Sequence, residues 1–202
     1  MEKNRLLMFL PYFSVILGLY LFKSPWFAIL TYQSGMVLTI ILTDKVHFRE
    51  LITGWNKTYG LLSVLFGLGG GILLYFLWPS ININSASFSM FGITGLSLIY
   101  FLVYFNFTNP WLEELFWRGY FKSNNRYVGF QDFVFAFYHA LVLYFFFDIM
   151  WIVLSVIILI SASGLWRYLY RSCNGLLVPS LSHLISNIAI MGVVIIKLWS
   201  LA

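Results

Sequence analysis

Seven apolar runs dominate the chain, at 5–22, 26–43, 58–78, 91–107, 130–147, 149–166 and 177–198. A helix needs about 20 predominantly apolar residues to cross the hydrocarbon of a bilayer, and each run approaches that length. Inside lipid every backbone N–H and C=O has to be satisfied by the chain itself, and for runs of this kind the helix does so. The predicted fold class is therefore all-α, a polytopic transmembrane bundle of seven or eight helices. The eighth is 110–122, where Asn109 is placed to cap a helix and Pro110 suits its first turn. The sequence leaves open whether this segment crosses the bilayer or lies partly embedded.

Composition points the same way. Hydrophobic residues make up 61% of the 202, and only 9% are charged. A soluble domain carries about 25% charged residues, so this chain lacks the polar surface to coat a globule in water. Its length suits one integral membrane domain, 1–202, with the polar motifs confined to about 108–190. Cys173 is the sole cysteine, which excludes an intrachain disulfide and a thiolate metal cluster. The first 22 residues have a basic start (Lys3, Arg5) and then an apolar run, as a signal peptide would. Lys23-Ser24-Pro25 is not a small-residue cleavage site, so a retained first span is expected.

The net charge of +5 comes from basic residues that fall singly between apolar runs. That spacing argues against nucleic acid and for membrane topology. With a cytoplasmic N-terminus and a non-crossing 110–122, ten basic residues are inside: Lys3, Arg5, Lys45, Arg49, Lys57, Arg118, Lys122, Arg126, Arg167 and Arg171. Lys23 and Lys197 are then the two outside. The expectation is an odd number of crossings, an integral protein of a bacterial plasma membrane, and polar motifs toward the cytoplasmic side. The uncharged, Ser- and Asn-rich stretch 78–91 reads as an outer loop. Gly67, Gly69, Gly70 and Gly71 follow no strand, so they read as close helix packing and not as a phosphate loop.

Ionisable groups at membrane depth are costly, and each is a functional candidate by default. Glu113 and Glu114 are adjacent, in Trp-Leu-Glu-Glu-Leu-Phe-Trp-Arg-Gly-Tyr. Glu114 and Arg118 are four apart and share a helix face, where an ion pair neutralises both. Glu113 is rotated about 100° away and is left for other work, such as general-base chemistry. His139 ends Phe-Ala-Phe-Tyr-His within one apolar run, and His183 and Asn187 lie four apart within the last. A His and an Asn side by side can donate hydrogen bonds to a developing oxyanion. Each feature alone also has a plain explanation, as a satisfied core histidine, a helix-locking ion pair or interhelical polar glue.

The ordered set Glu113-Glu114-Leu-Phe-Trp-Arg118, Phe135-Ala-Phe-Tyr-His139 and His183-Leu-Ile-Ser-Asn187 resembles the CPBP family of intramembrane glutamic endopeptidases. That family includes the type II CAAX prenyl endopeptidase and bacterial Abi proteins linked to bacteriocin immunity. The resemblance implies a metal-independent peptidase with no cofactor. It gives Glu113 the activation of water, His139 the polarising of that water, and His183 and Asn187 the oxyanion. Glu114 and Arg118 become supporting residues. The implied partners are a peptide or membrane-protein substrate and the lipid bilayer. Oligomeric state is not implied. Other classes stay open beside it: a non-catalytic immunity or scaffold protein of the same fold, a zinc-dependent membrane protease, and a proton-coupled transporter.

Overall fold

The computed structural model describes residues 2–81, 83–84, 86–123 and 128–199, with the side chains of 5–81, 83–84, 86–123 and 128–197. Arg126 and the Lys3 side chain, both part of the charge count above, lie outside these. The described residues are helical, with one isolated bridge between Ile83 and Phe147. The α-helices are α1 (Leu10–Val15), α2 (Pro25–Thr43), α3 (Lys57–Leu77), α4 (Ala86–Met90), α5 (Gly95–Glu114), α6 (Phe130–Leu143), α7 (Ile149–Cys173) and α8 (Leu177–Trp199). A π-helical turn, Leu115–Tyr120, continues α5.

Among the described residues four helical stretches have the length and hydropathy to cross a membrane: Pro25–Thr43, Lys57–Ser80, Ile149–Cys173 and Leu177–Lys197. Arg5–Leu21 and Phe130–Leu143 are apolar but shorter. The outward faces carry Leu42, Phe66, Phe76 and Ile157, each more than half exposed. Lipid tails, unlike water, accept such a surface without penalty. The protein is an all-helical integral membrane protein.

One expected boundary is not there. Asn109 does not cap a new helix, because α5 runs without a break through Pro110 to Glu114. Pro110 removes the N–H that would bond the Asn106 carbonyl. Membrane helices tolerate such a loss where neighbouring groups re-satisfy the backbone. Asn109, expected at a terminus, is instead buried in the helix interior. The stretch 78–91 is not a plain loop either, since it holds a short 3-10 turn, Trp78–Ser80, and α4.

The chain gathers into two compact units, and α5 and α7 each contribute residues to both. The first unit comprises Met1–Asp44, Asn82–Phe101 and Ser123–Gly164. Here Ser24 caps α2 by accepting from the Phe27 N–H at 3.2 Å, and Pro25 takes the first helical position. Tyr12 and Tyr20 donate to the Val134 and Leu141 carbonyls at 2.8 and 2.9 Å, which ties the N-terminal helical stretch to α6. Asp132, itself buried, fixes the start of α6 by accepting from the Gly129 N–H at 2.7 Å and from Ser163 Oγ at 2.5 Å.

The second unit comprises Lys45–Ile81, Leu102–Lys122 and Leu165–Ala202. Its frame is α3 against α8. A Cβ on Gly67 would stand 2.7 Å from Ile185 Cγ2, and one on Gly71 would stand 2.7 Å from Ala189 Cβ. Two glycines four apart thus let α8 approach closely. Gly69 faces open space and Gly70 makes an ordinary contact, so the packing expected of all four glycines belongs to two. This frame holds α8, and with it His183 and Asn187, near the end of α5.

Candidate active site

The second unit buries four charged side chains: Glu113 and Glu114 at 0% exposure, Arg118 at 3% and Arg167 at 5%. Glu113 and Glu114 close α5, and Arg118 sits on the π-helical turn that follows. The Glu114–Arg118 ion pair is in place, with Nη1 of Arg118 3.3 Å from Oε1 of Glu114.

His183 joins both acids. Its Nδ1 is 3.0 Å from Glu114 Oε1 and its Nε2 is 3.7 Å from Glu113 Oε2. A carboxylate held by an arginine only accepts hydrogen bonds, so Nδ1 carries the proton in the first contact. The second contact is longer than a hydrogen bond. Glu114 is therefore shared between Arg118 and His183, while Glu113 faces the other edge of the same imidazole.

Asn187 follows one helical turn after His183 on α8. Its Nδ2 is buried and makes no hydrogen bond. A buried amide donor without an acceptor is uncommon and asks for an explanation.

His139 is carried by the other unit. Its Nδ1 contacts the Phe135 carbonyl one turn back, at 2.9 Å. A carbonyl oxygen only accepts, so Nδ1 is again the donor, and Nε2 is the ring's remaining nitrogen. The Tyr138 ring lies against the imidazole at 4.0 Å and the Phe135 ring meets it edge-on at 4.9 Å.

Three residues near this cluster carry no motif. Trp166 stacks on His183, its Nε1–H donates to Ser182 Oγ at 3.2 Å, and Arg167 is buried beside it in sequence. The sequence places the end of this span at residue 166 and Arg167 among the cytoplasmic flanking charges. In the structure α7 continues to Cys173, and Arg167 and Arg118 are both buried. The one sequence signal was Arg167 itself, set among Leu165, Trp166, Tyr168 and Leu169.

At the edge of the same unit a cavity of about 490 Å³ is lined by Glu50, Lys122, Tyr170, Arg171 and Asn174. Lys122 Nζ is 3.4 Å from Glu50 Oε1, and Tyr170 donates to Glu50 Oε2 at 3.2 Å. Partial burial pushes the Lys122 ammonium down, but Tyr170 and Glu50 outweigh it and leave its pKa raised. Among the described residues no three His, Cys, Asp or Glu side chains are grouped to hold a metal ion.

No curated protein and no solved structure matches the chain. A family model does match, over residues 94–189, just under half of the chain and including all three motifs. Its description is Type II CAAX prenyl endopeptidase Rce1-like. Over residues 94–189 the chain is similar to this Rce1-like family, which supports a CAAX-type intramembrane protease kind of function for an integral membrane protein.

Proposed function

We propose that the protein is a membrane endopeptidase that hydrolyses a peptide bond with a glutamate-activated water. The observation that carries this reading is the placement of Glu113, which is wholly buried and faces His183 Nε2 across 3.7 Å. Glu113 takes a proton from water, and the hydroxide attacks the peptide carbonyl. Asn187 Nδ2–H holds the oxyanion, which accounts for its lack of any partner in the resting protein. His183 already gives its Nδ1–H to Glu114. It joins Asn187 as an oxyanion donor only when Nε2 is also protonated, and Asn187 is otherwise the donor. Glu113 then returns its proton to the leaving amine as the C–N bond breaks, so the proton count closes without a metal.

His139 keeps the role that the resemblance gives it, as a second group on the water. Its motif, Phe135-Ala-Phe-Tyr-His139, supports this. The substrate class is a peptide or a membrane protein. Lys45 lies over the Tyr120 ring and Lys122 pairs with Glu50, both near the turn that follows the acids, and this supports a cytoplasmic placement of that end of the unit.

The test compares membranes carrying the wild type with membranes carrying Glu113→Gln, by peptidomics and by cleavage of any substrate so found. The substitution keeps shape and removes the base, so cleavage should drop to background while detergent-solubilised protein melts as a folded species. An unchanged peptide pool, or a folded Glu113→Gln variant that cleaves at the wild-type rate, rules the assignment out.

A further inference from the structure

Trp166 belongs to none of the sequence motifs, but it lies against their centre. Its indole is stacked on the His183 imidazole, with centroids 4.0 Å apart and planes 14° apart. The guanidinium carbon of Arg118 stands 5.1 Å from the indole centroid. The indole is itself pinned, because Nε1–H donates to Ser182 Oγ at 3.2 Å. Trp166, His183 and Arg118 are all buried.

This contact supplies a constraint that hydrogen bonding does not. An imidazole can be turned half a revolution about its Cβ–Cγ bond, which exchanges Nδ1 with a carbon. The Glu114 carboxylate selects the edge that presents Nδ1–H. The Nδ1 hydrogen bond by itself does not fix the plane of the ring, because hydrogen bonds tolerate a broad range of angles. Nε2, on the far edge, then sweeps away from Glu113. A parallel aromatic face at 4.0 Å stops that tilt.

We infer that Trp166 is a positioning residue, which fixes the plane of His183 so that Nδ1–H meets Glu114 while Nε2 faces Glu113. Its consequence for rate rests on the peptidase reading, but the ring geometry exists with or without turnover.

Nitrogen NMR of histidine-labelled protein in lipid nanodiscs tests the inference directly. The chain has three histidines, His47, His139 and His183, and His183→Gln assigns the signal of interest. In the wild type, Nδ1 of His183 should resonate as a protonated, hydrogen-bonded nitrogen. Trp166→Phe keeps an aromatic face and should retain that signal. Trp166→Leu removes the face and lets the ring tilt with Nδ1 still protonated, so the His183 nitrogen shift anisotropy should be partly averaged, with His47 and His139 unmoved. A His183 signal identical in wild type and Trp166→Leu overturns the inference. Should the leucine variant disturb all three histidines, Trp166→Phe decides: an unaveraged His183 nitrogen signal supports the role of the ring face, and an averaged one overturns it. A wild type that cleaves nothing leaves these spectra as they are, so failure of the peptidase reading is separately visible.

Discussion

Arg118→Met should cost this protein more stability than any truncation on its surface, because it strands a carboxylate with no exposure to solvent. The Arg118 Nη1 to Glu114 Oε1 distance is 3.3 Å, and the two side chains are 2% and 0% exposed, so solvent screening is small. At an effective dielectric of about 20, unit charges at that separation attract by roughly 5 kcal/mol. Breaking a buried pair from one side typically costs about 3–5 kcal/mol. His183 still donates to Glu114 at 3.0 Å, which argues for the lower end, about 3 kcal/mol. The double variant Arg118→Met/Glu114→Gln leaves no stranded charge, and the glutamine carbonyl still accepts from His183. It should recover most of the loss, as buried pairs replaced whole often do. Reversible unfolding in mixed micelles, run as a double-mutant cycle, measures both quantities. A single variant that loses under about 1 kcal/mol, or a double variant that merely adds the two single losses, refutes the claim that this pair is a closed, desolvated unit.

Asn187→Ala should lower kcat by about 10²–10³, with melting temperature unchanged, because Nδ2 has no hydrogen bond to lose in the resting protein. Equal losses of kcat and stability would assign Asn187 to the frame and not to the oxyanion. Gly71→Leu should destabilise by about 1–3 kcal/mol through overpacking against α8, where even a Cβ comes within 2.9 Å of the Ala189 backbone. Gly69→Leu meets open space, so its thermal unfolding should match the wild type or gain slightly from helix propensity. Similar shifts for the two glycines would count against the close approach of α3 and α8.

The fold class was legible because hydropathy is written along the chain at the scale of a whole helix. Runs such as 26–43 and 58–78 match Pro25–Thr43 and Lys57–Leu77 almost residue for residue. The break placed before Pro110 was misread because proline and asparagine signal helix starts in water. A membrane helix can carry Pro110 in its interior, and α5 does. The helical spacing of Glu114 and Arg118 made their pairing readable, since residues four apart meet on one helix. The link from His183 to both acids was not readable, because it joins α5 to α8 across 69 positions of sequence. Trp166 and Ser182 were missed for a related reason. A tryptophan in an apolar run looks like any other span residue until the ring it stacks on is known.

Burial of so many charges in an apolar chain needs its own explanation, and the second unit supplies one by balance. Its buried charged residues are Glu113, Glu114, Arg118 and Arg167, two of each sign. Desolvating an isolated ion costs several kcal/mol even after relaxation, but a set that sums to zero and shares hydrogen bonds recovers much of that. In the first unit the buried charge among the described residues is Asp132, and it takes the other route, accepting from a backbone N–H and a serine hydroxyl. The two solutions differ in what they leave available. Asp132 spends both oxygens on structure and secures the start of α6, whereas in the second unit Glu114 takes up Arg118 and the Nδ1–H of His183. That division leaves Glu113 facing Nε2 across a gap that is too long for a hydrogen bond. On the proposed peptidase reading, that gap is where the acid and the imidazole edge would hold the attacking water.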